Sequence, residues 1–128
     1  MRIAIDTNRY RDFCEGDPGC LDLVQRSERV CLPFITLGEL RAGFLAGSRT
    51  GPNERVLDRF LSSPRVEVLF PTAATTRQYA QLFLQLRTQG TPIPTNDLWI
   101  AALVLEHDVH LFSRDSHFDR LPQLPRAA

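Results

Sequence analysis

Four acidic residues stand where several carboxylates could meet and bind a cation. They are scattered along the chain and either follow predicted strands or open predicted helices: Asp6, Glu39, Asp97 and Asp115. Carboxylates that crowd together repel one another unless a cation joins them, and hard oxygen ligands suit Mg²⁺ or Mn²⁺. A cation held in this way lowers the pKa of a bound water and stabilises charge on a phosphate, so the pattern predicts hydrolysis of phosphodiester bonds.

Each of these acids could also have a purely local role. Thr36 and Glu39 have the spacing of a capping box, and Asp97 could sit in a first helical turn only to favour the helix dipole. Asp115 could cap the short segment that follows it, and Asp6 could close a turn. Asp6 and Asp97 are the harder ones to explain locally. Asp6 ends a buried strand, where a charged group is unfavourable unless it is paired, and Asp97 begins a helix that is otherwise apolar.

The elements that must position these acids alternate along the chain. The predicted strands are 2–5, 30–33, 66–70 and 109–112, and the main predicted helices are 36–46, 72–89 and one that is capped by Thr95 or Asn96. This alternation predicts one α/β domain with a central parallel sheet of four to five short strands, flanked by helices on both faces. Ligands bind at the carboxyl ends of strands in such a sheet, so all four acids can converge on one edge.

Composition narrows the possible classes of protein. The 128 residues are 43% hydrophobic and 23% charged, which indicates a single globular domain over residues 1–128. All 15 basic residues are arginine, and the lack of lysine excludes Walker-type phosphate loops and Schiff-base enzymes. The formal net charge is zero, so binding to nucleic acid must depend on locally placed arginines or bound cations.

Cysteine content and apolar runs indicate the compartment. Cys14, Cys20 and Cys31 have neither the spacing of a zinc site nor that of a disulfide framework, and we expect buried, reduced thiols. The chain reaches Asp6 before a signal-peptide apolar region could form, and the longest apolar run, 98–105, is too short to span a membrane. These features predict a cytoplasmic protein.

Four segments in register resemble the PIN domain family, and closely the VapC toxins of VapBC toxin–antitoxin pairs. They span nearly the whole chain: residues 3–8 (IAIDTN), 37–43 (LGELRAG), 93–102 (IPTNDLWIAA) and 111–118 (LFSRDSHF). One departure is Arg9, at a position where many relatives carry an aliphatic residue. The resemblance implies a PIN fold and a metal-dependent endoribonuclease that cleaves a structured RNA with Mg²⁺ or Mn²⁺.

The resemblance also implies roles for particular residues. Asp6, Glu39, Asp97 and Asp115 match the catalytic acids, with Asp6, Asp97 and Asp115 as metal ligands, Glu39 acting through a water, and Ser113 and Thr7 in supporting positions. It further implies a homodimer, a small cognate antitoxin that blocks the acidic pocket, and no membrane partner. Arg41 and Arg114, which lie beside the acids, are candidates for contacts with RNA phosphates.

Several alternatives remain open from the sequence. A PIN nuclease can process RNA without being a toxin, and a PIN fold can lose catalysis and only bind RNA or a partner. A haloacid-dehalogenase-like phosphatase also begins with a strand that ends in aspartate, but here Asn8 replaces the second aspartate of its motif and lysine is absent. His117 and Asp119 could assist the site, although ordinary structural roles explain them more simply.

Overall fold

The protein is built around a parallel sheet of four strands. The computed structural model describes residues 1–127. The strands are β1 (Arg2–Ile5), β2 (Arg29–Pro33), β3 (Val66–Leu69) and β4 (His110–Phe112), in the order β3-β2-β1-β4. All three strand pairs are parallel, with Ala4 opposite Cys31 on one side of β1 and opposite Leu111 on the other. The predicted parallel α/β architecture is confirmed.

Six helices connect and cover the strands. They are α1 (Thr7–Cys14), α2 (Pro18–Arg26), α3 (Phe34–Ala46), α4 (Thr50–Leu61), α5 (Ala73–Gln89) and α6 (Thr95–His107), and a 3₁₀ helix (Ser116–Arg120) follows β4. Gly90 ends α5 in the left-handed conformation at φ 72°, which glycine adopts without steric cost. Among residues 1–127, none of the helices combines the length and the hydrophobicity of a transmembrane span.

Side chains of β1 alternate between two hydrophobic cores, one on each face of the sheet. Ile3 and Ile5 pack in the core covered by the helices on one side, while Ala4 packs in the core on the other side. Helix α6 lies in the second core, and its residues from Ile100 to Val104 are fully buried. The burial of α6 explains its near-continuous apolar sequence, and the core on each face of the sheet confirms helices on both faces.

Two helices begin earlier than the sequence indicated. Helix α3 starts at Phe34, directly after β2, and Pro33 occupies its N-cap position. Thr36 is therefore inside the first turn and fully buried, and its hydroxyl has no hydrogen-bond partner among residues 1–127. The predicted capping box of Thr36 and Glu39 is wrong. Likewise Pro94, rather than Thr95 or Asn96, occupies the N-cap position of α6.

The C-terminal segment returns to the sheet beside β4. Leu111 N–H donates to Pro125 O at 2.8 Å, and Ala127 N–H donates to Leu111 O at 2.9 Å. The possible fifth strand is thus a single parallel bridge between Leu111 and Arg126. This contact places the Arg126 guanidinium next to the carboxyl end of β4.

The three cysteines are free thiols. Cys20 and Cys31 are buried as expected, and burial raises the pKa of Cys31 to about 11, with the Glu67 carboxylate adding to the effect. Cys14 is exposed, so the expectation of a buried thiol is wrong there. It lies at the end of α1, where the chain turns towards α2 over the surface.

Candidate metal centre

Asp6 lies at the carboxyl end of β1 and is only 5% exposed. Its Oδ1 accepts the Thr7 backbone N–H at 2.8 Å, and its Oδ2 accepts the Ser113 hydroxyl at 2.7 Å. Burial raises the pKa of Asp6, while the hydrogen bonds from Ser113 and Thr7 oppose that rise. The role of Asp6 as the N-cap of α1 explains the contact of its Oδ1. It does not explain why a charged side chain is buried here, which costs free energy unless a partner compensates the charge.

Asp97 and Asp115 meet across the side chain of His117. Asp97 lies in the first turn of α6, and its side chain is 13% exposed. Asp115 caps the 3₁₀ helix by accepting the His117 N–H at 2.9 Å. The ring Nδ1 of His117 lies 3.0 Å from Asp97 Oδ2 and 3.1 Å from Asp115 Oδ1. The end of β4 and the start of α6 are therefore held together by polar contacts.

Glu39 is partly buried on α3 and faces the same group of acids. Burial raises the pKa of Glu39 first, and the charges of Asp6 and Asp97 raise it further, while a hydrogen bond with Asn96 lowers it. Because the capping box does not form, a local role no longer explains this glutamate. Its position on α3 brings a fourth carboxylate to the sheet edge.

Burial and mutual repulsion together raise the pKa values of the acids in this cluster. The pKa of Asp97 is raised by burial first and then by the charges of Asp115 and Asp6, against a hydrogen bond from His117. The pKa of Asp6 is likewise raised in part by Asp115. Arg126 lowers the pKa of Asp6 and Arg11 lowers that of Glu39, but each effect is smaller than those of burial and the neighbouring acids. A bound cation would relieve this repulsion.

The donor set fits a divalent cation. Asp97, Asp115 and His117 each offer one ligand atom, and these three atoms lie within 4.8 Å of one another. Asp6 and Glu39 add carboxylate oxygens at the same edge, where they interact with Asp97 and Asp115 through charge. Mostly oxygen donors of this kind suit Mg²⁺ or Mn²⁺.

Known proteins resemble this chain in sequence and in fold. The sequence model of the PIN domain family matches residues 3–124. Ribonuclease VapC4 of Mycobacterium tuberculosis is 32% identical over 90 residues, which are 70% of this chain and 69% of that protein. The chain belongs to the PIN domain family. The predicted family and nuclease class are confirmed by these relatives.

Two solved structures align with this PIN domain over almost its whole length. VapBC-1 from nontypeable Haemophilus influenzae gives a TM-score of 0.87 at 27% identity, covering 99% of this chain and 97% of that one. VapBC2 from Rickettsia felis, bound to a DNA fragment from its promoter, gives a TM-score of 0.85 at 27% identity, covering 99% and 98%. These alignments confirm the predicted fold.

The PIN domain brings all four predicted acids to one edge of its sheet, and Ser113 lies beneath them. The Ser113 hydroxyl contacts Asp6, and it also accepts the Asp115 N–H at 3.1 Å. Thr7 contributes its backbone N–H, whereas its buried hydroxyl has no partner within residues 1–127. The supporting positions of Ser113 and Thr7 therefore have a geometric basis, and the catalytic roles stay predictions.

Three contributors to the site carry little sequence signal. Asn8 donates to the Ser113 hydroxyl at 3.2 Å, and Asn96 lowers the pKa of Glu39. His117 enters the acidic cluster, and its only sequence signal was its position two residues after a capping aspartate. Asp119, the other possible assistant, is 71% exposed and pairs with Arg126 Nη1 at 3.1 Å.

Both arginine candidates for phosphate contacts are exposed and paired with acids. Arg114 donates from Nε and Nη2 to the two Asp12 oxygens at 3.0 and 3.2 Å, and its side chain is 58% exposed. Arg41 Nε lies 3.4 Å from Glu54 Oε2, with 47% of its side chain exposed. Each guanidinium keeps further N–H groups that can donate to a phosphate.

Replacing Asp97 by asparagine is expected to stabilise the metal-free PIN domain at neutral pH. Because folding raises the pKa of Asp97, this group favours the fold below its unfolded pKa and loses that contribution as pH rises through the folded pKa. An asparagine at this position would be neutral throughout, so Asp97→Asn should raise Tm at pH 7 in EDTA by about 2–5 °C. The gain should shrink at acidic pH, where Asp97 itself becomes protonated.

Differential scanning fluorimetry with and without divalent metal checks this expectation. Asp22→Asn is the matched control, because Asp22 is 64% exposed and pairs with Arg26 on α2. Added Mn²⁺ should raise the Tm of the wild type more than that of Asp97→Asn. A lower Tm for Asp97→Asn in EDTA at both pH values would mean that Asp97 stabilises the fold by itself.

Proposed function

We propose that this chain is a metal-dependent endoribonuclease that acts as the toxin of a type II toxin–antitoxin pair. The observation that carries the proposal is the convergence of four mutually repelling carboxylates at the carboxyl edge of a PIN sheet. Ribonuclease VapC4, whose name states its activity, supports RNA as the substrate. Structured RNA, such as transfer or ribosomal RNA, is the proposed target.

The burial and contacts of the acids support the roles that we propose for them. Asp6, Asp97 and Asp115 would hold Mg²⁺ or Mn²⁺, with Asp6 kept in place by Ser113 and Thr7. When bound, such a cation would lower the pKa of the attacking water and stabilise the negative charge on the phosphate in the transition state. Glu39, whose pKa is raised, is a stronger base than an ordinary glutamate and accepts a proton from water.

The proposed reaction is the hydrolysis of one phosphodiester bond of the RNA. The water oxygen forms a bond to phosphorus as the bond between phosphorus and the 3′ oxygen breaks. One water proton leaves to the protein or solvent, and the 3′ oxygen gains a proton. The products carry a 5′-phosphate and a 3′-hydroxyl. His117 lies between Asp97 and Asp115, and Arg126 donates to the Ser113 carbonyl at 2.9 Å, so both side chains lie at this edge of the sheet.

Arg41 and Arg114 are proposed to contact RNA phosphates beside the acids. Replacing either by glutamine should weaken RNA binding roughly 3- to 10-fold at low salt and lower the slope of log affinity against log salt by about 1. Fluorescence anisotropy of a labelled RNA at several salt concentrations, with Ca²⁺ in place of Mg²⁺, measures both quantities.

Arg26→Gln is the control for these variants, because Arg26 is 67% exposed and also pairs with an aspartate. It should bind RNA like the wild type at every salt concentration. If Arg41→Gln and Arg114→Gln gave the same affinity and salt slope as Arg26→Gln, these arginines would not contact the RNA.

The proposed partners are a small cognate antitoxin that covers the acidic pocket and a second copy of this chain. The solved relatives include VapBC complexes, one of them bound to promoter DNA. Exposed aromatic side chains offer an apolar face for a homodimer, since Phe34 and Phe70 are 49% and 59% exposed and pack against each other. We further propose the cytoplasm as the location, because the RNA substrate is found there.

Incubating the purified chain with end-labelled RNA tests the activity. We expect cleavage with Mg²⁺ or Mn²⁺ and none in EDTA, and growth arrest on expression that a co-expressed antitoxin relieves. Cleavage without growth arrest would indicate an RNA-processing nuclease instead of a toxin. RNA binding without cleavage under any divalent metal would indicate a binding module and contradict the proposed activity.

A further inference from the structure

His117 places a ring nitrogen among the carboxylates of the candidate metal centre. Its Nδ1 lies 3.0 Å from Asp97 Oδ2 and 3.1 Å from Asp115 Oδ1. Building on the function proposed above, we propose that His117 is itself a metal ligand through Nδ1. As a ligand, it makes the site select first-row transition-metal ions such as Mn²⁺ over Mg²⁺.

The local fold fixes His117 at the site. The His117 N–H donates to Asp115 Oδ1 at 2.9 Å, so the aspartate that caps the 3₁₀ helix also positions the histidine backbone. The next residue, Phe118, is fully buried in the core and anchors the same turn. The ring is therefore held among the acids by a capped and anchored helix.

The distances around Nδ1 suit adjacent ligands of one ion. Donors about 2.0–2.2 Å from an octahedral ion at right angles lie roughly 3 Å from each other. The two measured separations, 3.0 and 3.1 Å, match this spacing, although they are also ordinary hydrogen-bond lengths. The two possibilities differ in whether Nδ1 carries a proton or a free lone pair, which experiment can decide.

The environment of His117 allows Nδ1 to present its lone pair. The side chain is 37% exposed, and Nε2 makes no hydrogen bond within the part of the chain described, residues 1–127. Nε2 can therefore carry the ring proton and donate it to solvent, the arrangement that leaves Nδ1 free to bind metal.

A nitrogen donor changes which cation the site prefers. Mg²⁺ binds oxygen almost exclusively, whereas first-row transition ions bind imidazole well alongside carboxylates. Asp6, Asp97 and Asp115 give either class of ion its oxygen ligands. The selectivity of this site would then depend on His117, because a bond to its ring nitrogen stabilises a bound transition-metal ion more than it stabilises Mg²⁺.

Calorimetric titration of the full chain with MnCl₂ and with MgCl₂ measures this selectivity. In His117→Asn, Mn²⁺ binding should weaken at least about 10-fold, since even the loss of a group that only hydrogen-bonds a metal ligand costs that much, while Mg²⁺ binding changes by less than about 3-fold. His107→Asn is the control, because His107 lies about 15 Å further along α6 from Asp97.

Pulsed EPR of bound Mn²⁺ gives a direct signature. Nuclear modulation from a coordinated ¹⁴N should be present in the wild type and in His107→Asn, and absent in His117→Asn. Equal changes in Mn²⁺ and Mg²⁺ affinity, or no ¹⁴N modulation in the wild type, would show that His117 is only a hydrogen-bonding neighbour. That result would leave metal-dependent RNA cleavage standing, whereas a chain that binds neither ion would overturn both proposals.

Discussion

Replacing Asp97 by asparagine is expected to reduce RNA cleavage at least about 10²- to 10³-fold while leaving the fold intact, the scale of losing a group that stabilises transition-state charge. Asp97 projects from the first turn of α6, and its side chain is 13% exposed. Asparagine has nearly the same shape, so the packing of α6 should survive. What it lacks is the negative charge that a cation needs.

The same loss is expected for Asp6→Asn, with an added structural cost. Both Asp6 oxygens accept hydrogen bonds, from Thr7 N–H and from the Ser113 hydroxyl, and an amide can accept at only one of those positions. This variant should therefore lose thermal stability as well as activity. Asp97→Asn separates the chemical role of a carboxylate from its structural role more cleanly.

Cleavage rates of end-labelled RNA under single-turnover conditions measure both variants. Asp22→Asn on α2 is the control and should cleave like the wild type. Circular dichroism and RNA anisotropy establish that folding and substrate binding persist in Asp97→Asn. Full cleavage by both Asp6→Asn and Asp97→Asn would contradict the assignment of the carboxylates as the reactive centre.

Ser113→Ala is expected to lower cleavage about 10- to 100-fold, the effect typical of losing a group that orients a metal ligand. The Ser113 hydroxyl donates to Asp6 Oδ2 at 2.7 Å and accepts the Asp115 N–H at 3.1 Å. It also accepts from Asn8 Nδ2 at 3.2 Å. Alanine removes all three contacts at a position that is 5% exposed, where water cannot easily replace them.

The expected consequence for Asp6 is chemical as well as geometric. The hydrogen bond from Ser113 lowers the pKa of Asp6 against the desolvation that raises it, so its loss raises that pKa further. A higher metal concentration should partly restore the activity of Ser113→Ala. The added cation competes with the proton for the Asp6 carboxylate and holds that carboxylate in place. Activity that no metal concentration improves would show that Ser113 acts elsewhere.

Two further variants isolate the hydroxyl. Ser113→Thr keeps the oxygen and should retain most activity if the added methyl is accommodated. Ser116→Ala removes a serine hydroxyl three residues along the chain, at an exposed position, and should leave cleavage unchanged. Wild-type cleavage by Ser113→Ala would exclude a positioning role for this side chain.

The sheet and the position of Asp6 could be predicted from the sequence because their signals are local. A short apolar run that ends in aspartate defines β1, and the apolar segment after residue 97 predicts a helix buried on all sides. Parallel strands place their carboxyl ends together, so the edge that gathers Asp6 and Asp115 follows from the element order alone.

Other features depend on contacts that a local pattern does not contain. Thr36 and Glu39 match a capping box, yet β2 runs directly into α3 and buries Thr36 inside its first turn. His117 looks like a surface residue that follows a helix cap. It contacts Asp97, which lies 20 residues earlier in the sequence, only because the start of α6 packs beside the segment after β4. Long-range packing decides both outcomes.

The chemical ends of the RNA fragments test the central claim most directly. If the acidic cluster activates water with a divalent cation, cleavage requires added Mg²⁺ or Mn²⁺ and yields 5′-phosphate and 3′-hydroxyl ends, as ligation and phosphatase mapping can determine. It should also persist when the ribose 2′-hydroxyl at the cleaved bond is replaced by hydrogen. Fragments with 2′,3′-cyclic phosphate ends, formed equally well in EDTA, would mean that the 2′-hydroxyl attacks and would contradict a carboxylate-held metal centre.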